Sequence, residues 1–199
     1  MDRRSFLLSA SASALLVACS AESNLGSSGA AGPSIPSVAP ATLEALIAAA
    51  HGFWVGSPMA TTRMVVFFDP QCPHCGNLWR ATEGLRGKAR MLWVPVAILN
   101  RASATQGSAI LVAPNSEEKM TEHESLLSSG KGGISAVGSP DQGAMQKIKS
   151  NSELFKLLQA RSVPLVYWAD HDGRLVSEVG PSLSRLNAVV SARPTSSPS

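Results

Sequence analysis

Two cysteines separated by two residues follow directly on a short apolar run, and this combination constrains the fold more than any other feature. The run covers residues 64–68 (MVVFF), and its β-forming side chains are typical of a strand buried on both faces. Asp69 and Pro70 end it, and we expect a helix to begin after Cys72. Two sulfurs three residues apart on a first helical turn can close a disulfide with little backbone rearrangement. The pattern therefore predicts a redox-active pair at a strand–helix junction.

The first cysteine of this pair is expected to be the nucleophile. Cys72 would lie at the helix N-terminus, where unpaired N–H groups and the helix dipole favour an anion. Because the thiolate is the reacting form, a lowered pKa raises its reactive fraction at neutral pH. Pro73 pre-sets a helical φ angle, and a protonated His74 would add a second stabilising charge. We expect Cys72 to attack or accept electrons from substrate thiols, and Cys75 to resolve the mixed disulfide.

Three other functions of a C-x-x-C pair compete with redox catalysis. A structural zinc site needs four ligands, and the chain has only one further cysteine, Cys19. A purely structural disulfide between Cys72 and Cys75 would constrain little of the unfolded chain, because its loop is so small. Soft thiolates also bind Cu(I), so copper delivery with a distant His or Met stays open as the alternative function. The redox interpretation requires no metal and no cofactor.

The chain before residue 98 contains two further predicted elements. Thr42 fits the N-cap of a short helix, because Leu43, Leu46 and Ile47 share one helical face. Residues 90–97 predict a second strand, and Pro95 indicates an edge or an end of that strand.

Residues 98–163 are predicted to be mostly helical, with one helix capped by Asn115 and another capped by Ser139. Whether residues 140–160 form one helix or two stays open. Residues 165–168 and 174–179 flank a turn sequence and predict a hairpin, and residues 182–190 predict a closing helix. The order of strand, helix, strand, helical insertion, hairpin and helix predicts one mixed α/β domain over residues 42–191.

The first 41 residues are expected to direct export and anchoring. Residues 1–18 combine Arg3 and Arg4 with a short apolar stretch, which is typical of an export signal. The sequence Leu16-Val17-Ala18-Cys19 resembles a lipoprotein signal, in which Cys19 is lipidated and becomes the mature N-terminus. Residues 19–41 then form a lipid anchor and a flexible tether rich in Ser, Ala, Gly and Pro. This predicts a membrane-anchored lipoprotein in the oxidising bacterial periplasm, with a disordered tail at residues 192–199.

Composition excludes several classes of function. The 199 residues suffice for one domain of ordinary size with a sizeable core. No apolar run reaches the length of a membrane-spanning helix. The net charge is only +3, and no dense basic cluster is interleaved with aromatic residues, so we expect no nucleic-acid partner.

The segment around the cysteines resembles a known family. Residues 67–75 (FFDPQCPHC), followed by Leu78 and Trp79, are similar to the active-site segment of envelope disulfide oxidoreductases of the thioredoxin fold. The resemblance is greatest to the DsbC/DsbG group, whose pattern is F-x-D-P-x-C-x-x-C. Residues 163–167 (VPLVY) lie where that group has its cis-proline loop. The resemblance covers roughly residues 43–190 and implies a thioredoxin-like fold with a helical insertion between the second strand and the cis-proline strand.

This resemblance also implies roles for individual residues. Cys72 would be the attacking cysteine and Cys75 the resolving one. Pro164 would be cis and would face the dithiol, and the Val163 backbone would pair with an extended substrate peptide. The implied activity is thiol:disulfide interchange, whose direction stays open. Its partners would be cysteine-containing envelope proteins and a redox partner that resets the dithiol.

Two departures from the DsbC/DsbG pattern shape the expectation further. A separate dimerisation domain precedes the catalytic domain in that group, whereas only the tether and a short helix precede it here, so we expect a monomer. His74, and a Val before the cis-proline, look more like the oxidase DsbA.

Other polar residues have ordinary interpretations. Asp69 is expected either to assist proton transfer or simply to form a turn, and the second role is the commoner one before proline. His123, between two glutamates, and His171, in a turn, are both expected to be solvated.

Overall fold

A single mixed β-sheet organises the computed structural model, which describes residues 36, 38–136 and 140–192. The sheet has the strand order β1-β3-β2-β4-β5. The central strands β2 and β3 are parallel, and the other neighbouring pairs are antiparallel. The strands are β1 (Phe53–Gly56), β2 (Thr62–Phe68), β3 (Ala89–Pro95), β4 (Leu165–Ala169) and β5 (Leu175–Val179).

In the part of the chain that the structure describes, six α-helices cover the two faces of this sheet. Helices α3, α4 and α5 come between β3 and β4 in the chain, which confirms the predicted helical insertion. A short 3₁₀ turn, Glu83–Leu85, follows the second helix. The helices are α1 (Leu43–Ala49), α2 (Pro73–Ala81), α3 (Arg101–Leu111), α4 (Ser116–Ser128), α5 (Gln142–Leu157) and α6 (Leu183–Ser191).

Strand β2 divides the apolar core into two halves because its side chains alternate between the two faces of the sheet. Val66 and Phe68 belong to the half that contains Trp79 of α2, together with side chains of α3, α4 and α6. Val65 and Phe67 belong to the other half, with side chains of α1 and α5. Residues 64–68 are all essentially inaccessible to solvent, so the prediction of a strand buried on both faces is confirmed.

The expected N-caps at Thr42 and Asn115 are confirmed. The Thr42 hydroxyl accepts a hydrogen bond from the Ala45 amide, and the Asn115 side chain accepts one from the Glu118 amide. The expected cap Ser139 lies outside the described residues, and the helix begins later than predicted. Asp141 is its N-cap and accepts a hydrogen bond from the Ala144 amide at 2.6 Å. This helix, α5, continues without a break through residue 151.

Strand β1 was not predicted from the sequence, and it changes the meaning of Pro95. With β1 paired to one side of β3 and β2 paired to the other, β3 is an interior strand. Pro95 is its last residue, so the proline marks the end of a strand and not an edge. Within the described residues, no helix combines the length and the apolar character that crossing a bilayer requires.

One buried amide connects the insertion to the entrance of β1. The Asn151 side chain of α5 donates hydrogen bonds to the carbonyl oxygens of His51, at 2.7 Å, and Pro95, at 2.9 Å. Its oxygen accepts a hydrogen bond from the His51 amide at 2.9 Å. Asn151 is fully buried, so these backbone groups depend on it in place of water.

We predict that Asn151→Ala lowers the free energy of unfolding by about 3 kcal/mol, because it leaves buried backbone donors and acceptors without partners. Equilibrium unfolding in urea measures this loss. The exposed Asn187→Ala variant, which removes a helix-surface amide from α6, is the control and should change stability by less than about 0.5 kcal/mol. Equal losses in the two variants would contradict the role given to Asn151.

Candidate active site

The two cysteines lie at the junction of β2 and α2, as predicted. Cys72 is the N-cap of α2, and Pro73 is the first residue of the helix. The Cys75 amide donates a hydrogen bond to the Cys72 carbonyl at 3.0 Å, which closes the first turn. Both thiols are free; Cys72 retains 4% of its surface and Cys75 none. A substrate sulfur approaching the pair therefore meets Cys72 first.

The surroundings of Cys72 favour its thiolate. Its pKa is lowered to about 6, chiefly because the Cys75 thiol donates a hydrogen bond to it. Partial burial opposes this effect by raising the pKa. The backbone N–H groups of Cys75 and His74, followed by the charge of His74, lower the pKa further. His74 and Pro73 are exposed, so His74 acts on Cys72 from the solvent side.

Cys75 lies in the opposite environment. Burial is the largest cause of its strongly raised pKa, and donating a hydrogen bond to Cys72 is the second. The negative charges of Cys72 and Glu124 raise the pKa further, and a backbone hydrogen bond from Asp69 opposes them. At neutral pH, Cys75 is therefore a neutral thiol beside a thiolate.

The predicted proline loop lies against the first cysteine. The Val163–Pro164 peptide bond is cis, and the Cys72 sulfur lies 3.6 Å from the Val163 carbonyl oxygen. Pro164 precedes β4, and its own carbonyl accepts a hydrogen bond from the Gly180 amide at 2.8 Å. The structure thus brings together the site residues predicted within the domain: Cys72, Pro73, His74, Cys75, Val163 and Pro164. Cys19 lies outside the described residues.

Asp69 stabilises the turn before Cys72, which agrees with turn formation, the commoner of its two expected roles. Its carboxylate is fully buried and accepts four hydrogen bonds. One oxygen accepts from the Gln71 amide and the Ser103 hydroxyl, at 2.9 and 2.6 Å. The other accepts from the Ile98 and Leu99 amides, at 2.8 and 3.0 Å. With both oxygens occupied in this way, the carboxylate fixes the turn before Cys72.

His123 is not solvated, which corrects the prediction from its polar neighbours. The ring is fully buried, and its Nε2 lies 2.6 Å from the Pro70 carbonyl oxygen. Its Nδ1 accepts a hydrogen bond from the Ile134 amide at 3.2 Å. These partners define a neutral ring with the proton on Nε2, and burial lowers its pKa. His171 lies in the exposed turn of the hairpin, as predicted.

The loop after α4 is attached to the active-site segment by glutamine side chains. Gln71, the residue before Cys72, donates to the Gly132 carbonyl at 2.9 Å. Gln106 of α3 donates to the carbonyls of Gly132 and Ile134, at 2.8 and 3.0 Å. These hydrogen bonds connect the loop to the turn that positions Cys72.

Glu124 is the functional candidate that the sequence did not indicate. It belongs to α4, yet only 3% of its surface is exposed, and one carboxylate oxygen is buried without a hydrogen-bond partner. Burial is the main cause that raises the pKa of Glu124 to about 8; Arg80 opposes the rise and the charge of Cys72 adds to it. Glu124 in turn raises the pKa of Cys75. The signal was weak because glutamates on helices are usually solvated, and only the packing of α4 against α2 shows otherwise.

The dithiol is not part of a larger cluster of metal-binding side chains within the described residues. Among these residues, no three or more side chains of His, Cys, Asp or Glu are grouped so that they could hold a metal ion.

Comparison with curated proteins gives two relatives named thiol:disulfide interchange protein DsbG. The protein from Pseudomonas aeruginosa is 23% identical over 132 residues, which cover 64% of this chain and 50% of the relative. The protein from Escherichia coli is 25% identical over 143 residues, which cover 70% of this chain and 57% of the relative. The chain thus spans about half the length of these relatives. No family model matches the sequence.

Solved structures show the same architecture. A linker-deleted, mutated form of ScsC from Proteus mirabilis has a TM-score of 0.58 at 18% identity, covering 74% of this chain and 76% of its own. A periplasmic thioredoxin-like protein from Salmonella enterica serovar Typhimurium has a TM-score of 0.54 at 19% identity, covering 70% and 88%. The fold is thioredoxin-like. This confirms the predicted fold class, including the helices inserted between β3 and β4.

We predict that the thiolate absorbance of the reduced protein titrates with a pKa of about 6 for one thiol, and that the oxidised protein shows no such change. His74→Ala should raise this pKa only slightly, because the Cys75 thiol and two backbone N–H groups contribute more than the His74 charge. The matched variant His171→Ala, in the exposed hairpin turn, should leave it unchanged. A titration near the value of free cysteine would contradict this account of Cys72.

Proposed function

We propose that this protein is a thiol:disulfide oxidoreductase that acts on cysteine-containing proteins of the bacterial envelope. The observation that carries the proposal is the asymmetry of the two thiols. Cys72 reaches the surface and has a pKa lowered to about 6, whereas Cys75 is fully buried and has a raised pKa. One thiol is thus suited to meet a substrate, and the other is suited to close the reaction internally.

The reaction proceeds through a mixed disulfide. A substrate thiolate attacks the Cys72 sulfur of the Cys72–Cys75 disulfide, and Cys75 leaves with the electron pair and takes a proton. A second substrate thiolate then attacks the substrate sulfur bound to Cys72, and Cys72 leaves as a stable thiolate. The substrate loses two electrons and two protons and gains a disulfide, while the pair becomes a dithiol. A disulfide-bearing redox partner then reoxidises the pair.

The low pKa of Cys72 favours this direction over reduction. At pH 7 the pH is about one unit above the pKa of Cys72, so this thiol is mostly ionised in the reduced protein. Ionisation therefore shifts the equilibrium between the disulfide and the reduced form about tenfold toward the reduced form. For a two-electron couple this corresponds to a rise of about 30 mV in reduction potential. An unperturbed thiol gains almost nothing at this pH. The oxidised pair is therefore a stronger oxidant than an ordinary dithiol would make it.

The proline loop is proposed as the binding surface for the substrate backbone. Val163 lies within contact of Cys72, so a peptide paired with the Val163 backbone would carry its cysteine to the reacting sulfur. The DsbG resemblance supports the same role for Val163 and Pro164. Extended pairing of this kind is tolerant of side-chain identity, which suits a protein with several substrates.

The N-terminal sequence supports a position at the membrane. We propose that residues 1–18 are removed on export, that Cys19 carries lipid, and that residues 20–41 connect the anchor to a monomeric domain in the periplasm. The envelope is an oxidising compartment, where substrates with cysteine pairs form disulfides.

We predict that Cys72→Ser abolishes oxidation of a reduced two-cysteine peptide, because it removes the sulfur that forms the mixed disulfide. Cys75→Ser should instead accumulate a mixed disulfide when it is given the disulfide-linked dimer of a one-cysteine peptide, because the Cys72 thiolate attacks that disulfide, releases one peptide thiolate, and then has no internal thiol to resolve the product. Mass spectrometry under non-reducing conditions measures both outcomes. Cys19→Ser is the control, since that cysteine lies outside the pair, and it should retain the full rate of exchange in solution.

A glutathione redox titration of the Cys72–Cys75 pair tests the proposed direction. The pair should be more oxidising than a dithiol with two unperturbed thiols. A strongly reducing potential of the pair would contradict the proposed oxidising direction. It would still be compatible with thiol:disulfide exchange. Stoichiometric, tight binding of Cu(I) without any disulfide exchange would replace the proposal by copper delivery.

We predict that the full-length chain incorporates labelled fatty acid and is recovered with membranes, whereas Cys19→Ser does neither. The reason is that the lipid would be attached to the sulfur atom of Cys19. Cys72→Ser should retain the label and serves as the control. Recovery of Cys19→Ser with membranes would contradict anchoring through this residue.

A further inference from the structure

The ring of His123 joins the turn before Cys72 to the chain that follows α4. Its Nε2 donates a hydrogen bond to the Pro70 carbonyl oxygen at 2.6 Å, and its Nδ1 accepts one from the Ile134 amide at 3.2 Å. The ring is fully buried, so solvent does not compete for either nitrogen. One side chain on α4 thus holds two backbone segments that are distant in the sequence.

The segment on the Nδ1 side of the ring is a glycine loop, residues 130–134. Gly130, Gly132 and Gly133 have positive φ angles of 76°, 76° and 89°. A Cβ atom placed on Gly133 would overlap Cε1 of His123 and would lie 2.8 Å from its Nδ1. The loop backbone therefore approaches the ring as closely as it does because position 133 carries no side chain.

The glycine loop is also attached to the residue before Cys72. The Gly132 carbonyl accepts hydrogen bonds from the side chains of Gln71 and Gln106, at 2.9 and 2.8 Å. Gln106 also donates to the Ile134 carbonyl at 3.0 Å. A displaced loop would leave both glutamine side chains without these acceptors, next to the residue that carries the reacting sulfur.

Only the neutral ring of His123 can make both of its hydrogen bonds. A neutral imidazole has one N–H donor and one acceptor nitrogen, whereas both nitrogens of the charged ring are donors. A second proton, on Nδ1, would face the N–H group of Ile134 and remove that hydrogen bond. The hydrogen bond from Nε2 to the Pro70 carbonyl would remain.

We propose that neutral His123 is a positioning residue that fastens the glycine loop to the active-site turn, and that it releases the loop when it takes up a second proton. The ring stays attached to the turn through Pro70 in both forms, so the loop is the part that moves. Disulfide exchange then slows in acidic surroundings, because Gln71 loses a fixed partner beside Cys72. This consequence for exchange rests on the function proposed above, whereas the release of the loop does not.

Few charged groups act on the ring. Asp69, in the turn after β2, and Glu122, on α4, both raise the pKa of His123. Helix α3 supplies the neutral amide of Gln106, which lies at the same glycine of the loop as the ring does. Glu124, the next residue on α4, is directed toward the backbone of α2.

Burial decides the sign of the pH dependence. It is the largest influence on the ring and lowers the pKa of His123, although the Pro70 hydrogen bond and the two carboxylates oppose it. Lys131, the charged residue of the glycine loop, is exposed. The folded protein therefore favours the neutral ring. The stabilisation from the fastened loop is complete above about pH 6.5, the value for an unperturbed histidine, and is lost as the pH falls through the lower pKa of the folded protein.

NMR spectra of the reduced full chain, with its nitrogen atoms labelled, test this release. At about pH 7.5 the His123 ring should be neutral, with its proton on Nε2. As the pH is lowered toward about 4, Nδ1 should take up a proton, and the protection of the Ile134 amide against hydrogen exchange should fall at least about tenfold with the same midpoint. The amides of β2 should keep their protection, which distinguishes release of the loop from unfolding.

Two glycine substitutions separate displacement of the loop from titration of the ring. Gly133→Ala drives a methyl group into His123 and should release the loop at neutral pH. Gly130→Ala is the matched control, because its φ angle is also positive but a Cβ atom there meets nothing within 4 Å. Relative to this control, Gly133→Ala should lower both the protection of Ile134 and the rate of oxidation of a reduced two-cysteine peptide at least about threefold.

Substitutions of the ring test its protonation. His123→Gln keeps one donor and one acceptor but takes up no proton, so the Ile134 amide should stay protected down to about pH 4. His123→Ala should leave this amide unprotected at every pH. His171→Gln, in the exposed hairpin turn, is the control and should keep the wild-type pH profile.

Unchanged protection of Ile134 while His123 takes up a proton would overturn the inference. A ring that stays neutral until β2 itself loses protection would also overturn it. If the alanine variants do not fold, the wild-type titration and His123→Gln decide. Wild-type exchange of disulfides in a Gly133→Ala variant whose loop is released would refute the consequence for exchange. A chain that releases the loop but exchanges no disulfides, even at neutral pH, would support the role of His123 and count against the proposed function.

Discussion

The buried carboxylate of Asp69 is the interaction on which the position of the dithiol depends. The carboxylate accepts a hydrogen bond from the Gln71 amide in the turn before Cys72. It also accepts hydrogen bonds from the Ile98 and Leu99 amides, in the segment that leads into the insertion. A charged group without solvent is tolerated here because every hydrogen bond it accepts comes from a fixed donor. The strand end, the first turn of α2 and the start of α3 are thereby held as one unit.

The insertion contributes chemistry as well as packing. Helix α4 places two neighbouring polar side chains under the active-site segment, although both types are usually solvated. His123 holds the Pro70 carbonyl, and Glu124 reaches the backbone beside Gly76. Trp79 of α2 also donates to Thr121 of α4, at 3.3 Å. In this chain a part of the fold outside the sheet therefore contributes to the surroundings of the buried thiol.

Local sequence was sufficient for features that depend on neighbouring residues. The strand at 64–68, the helix after Cys72 and the caps at Thr42 and Asn115 all follow from short-range patterns. The Val163–Pro164 loop was found through family resemblance, because nothing local distinguishes it from an ordinary strand start. The features that the sequence did not predict depend on tertiary contacts. Strand β1 is only four residues long, and its sequence has no clear alternation of polar and apolar residues. The burial of side chains on α4 depends on the helix that packs against them.

The close approach of the two sulfurs affects how the protein would respond to oxidation by peroxide. Oxidants in solution reach Cys72 and not Cys75, since only the first retains accessible surface. A sulfenic acid formed there would lie beside the thiol that already donates a hydrogen bond to it. Condensation to the disulfide then competes with further oxidation to the irreversible sulfinic and sulfonic acids. In that case the buried thiol would convert an oxidised Cys72 into the Cys72–Cys75 disulfide, with release of water.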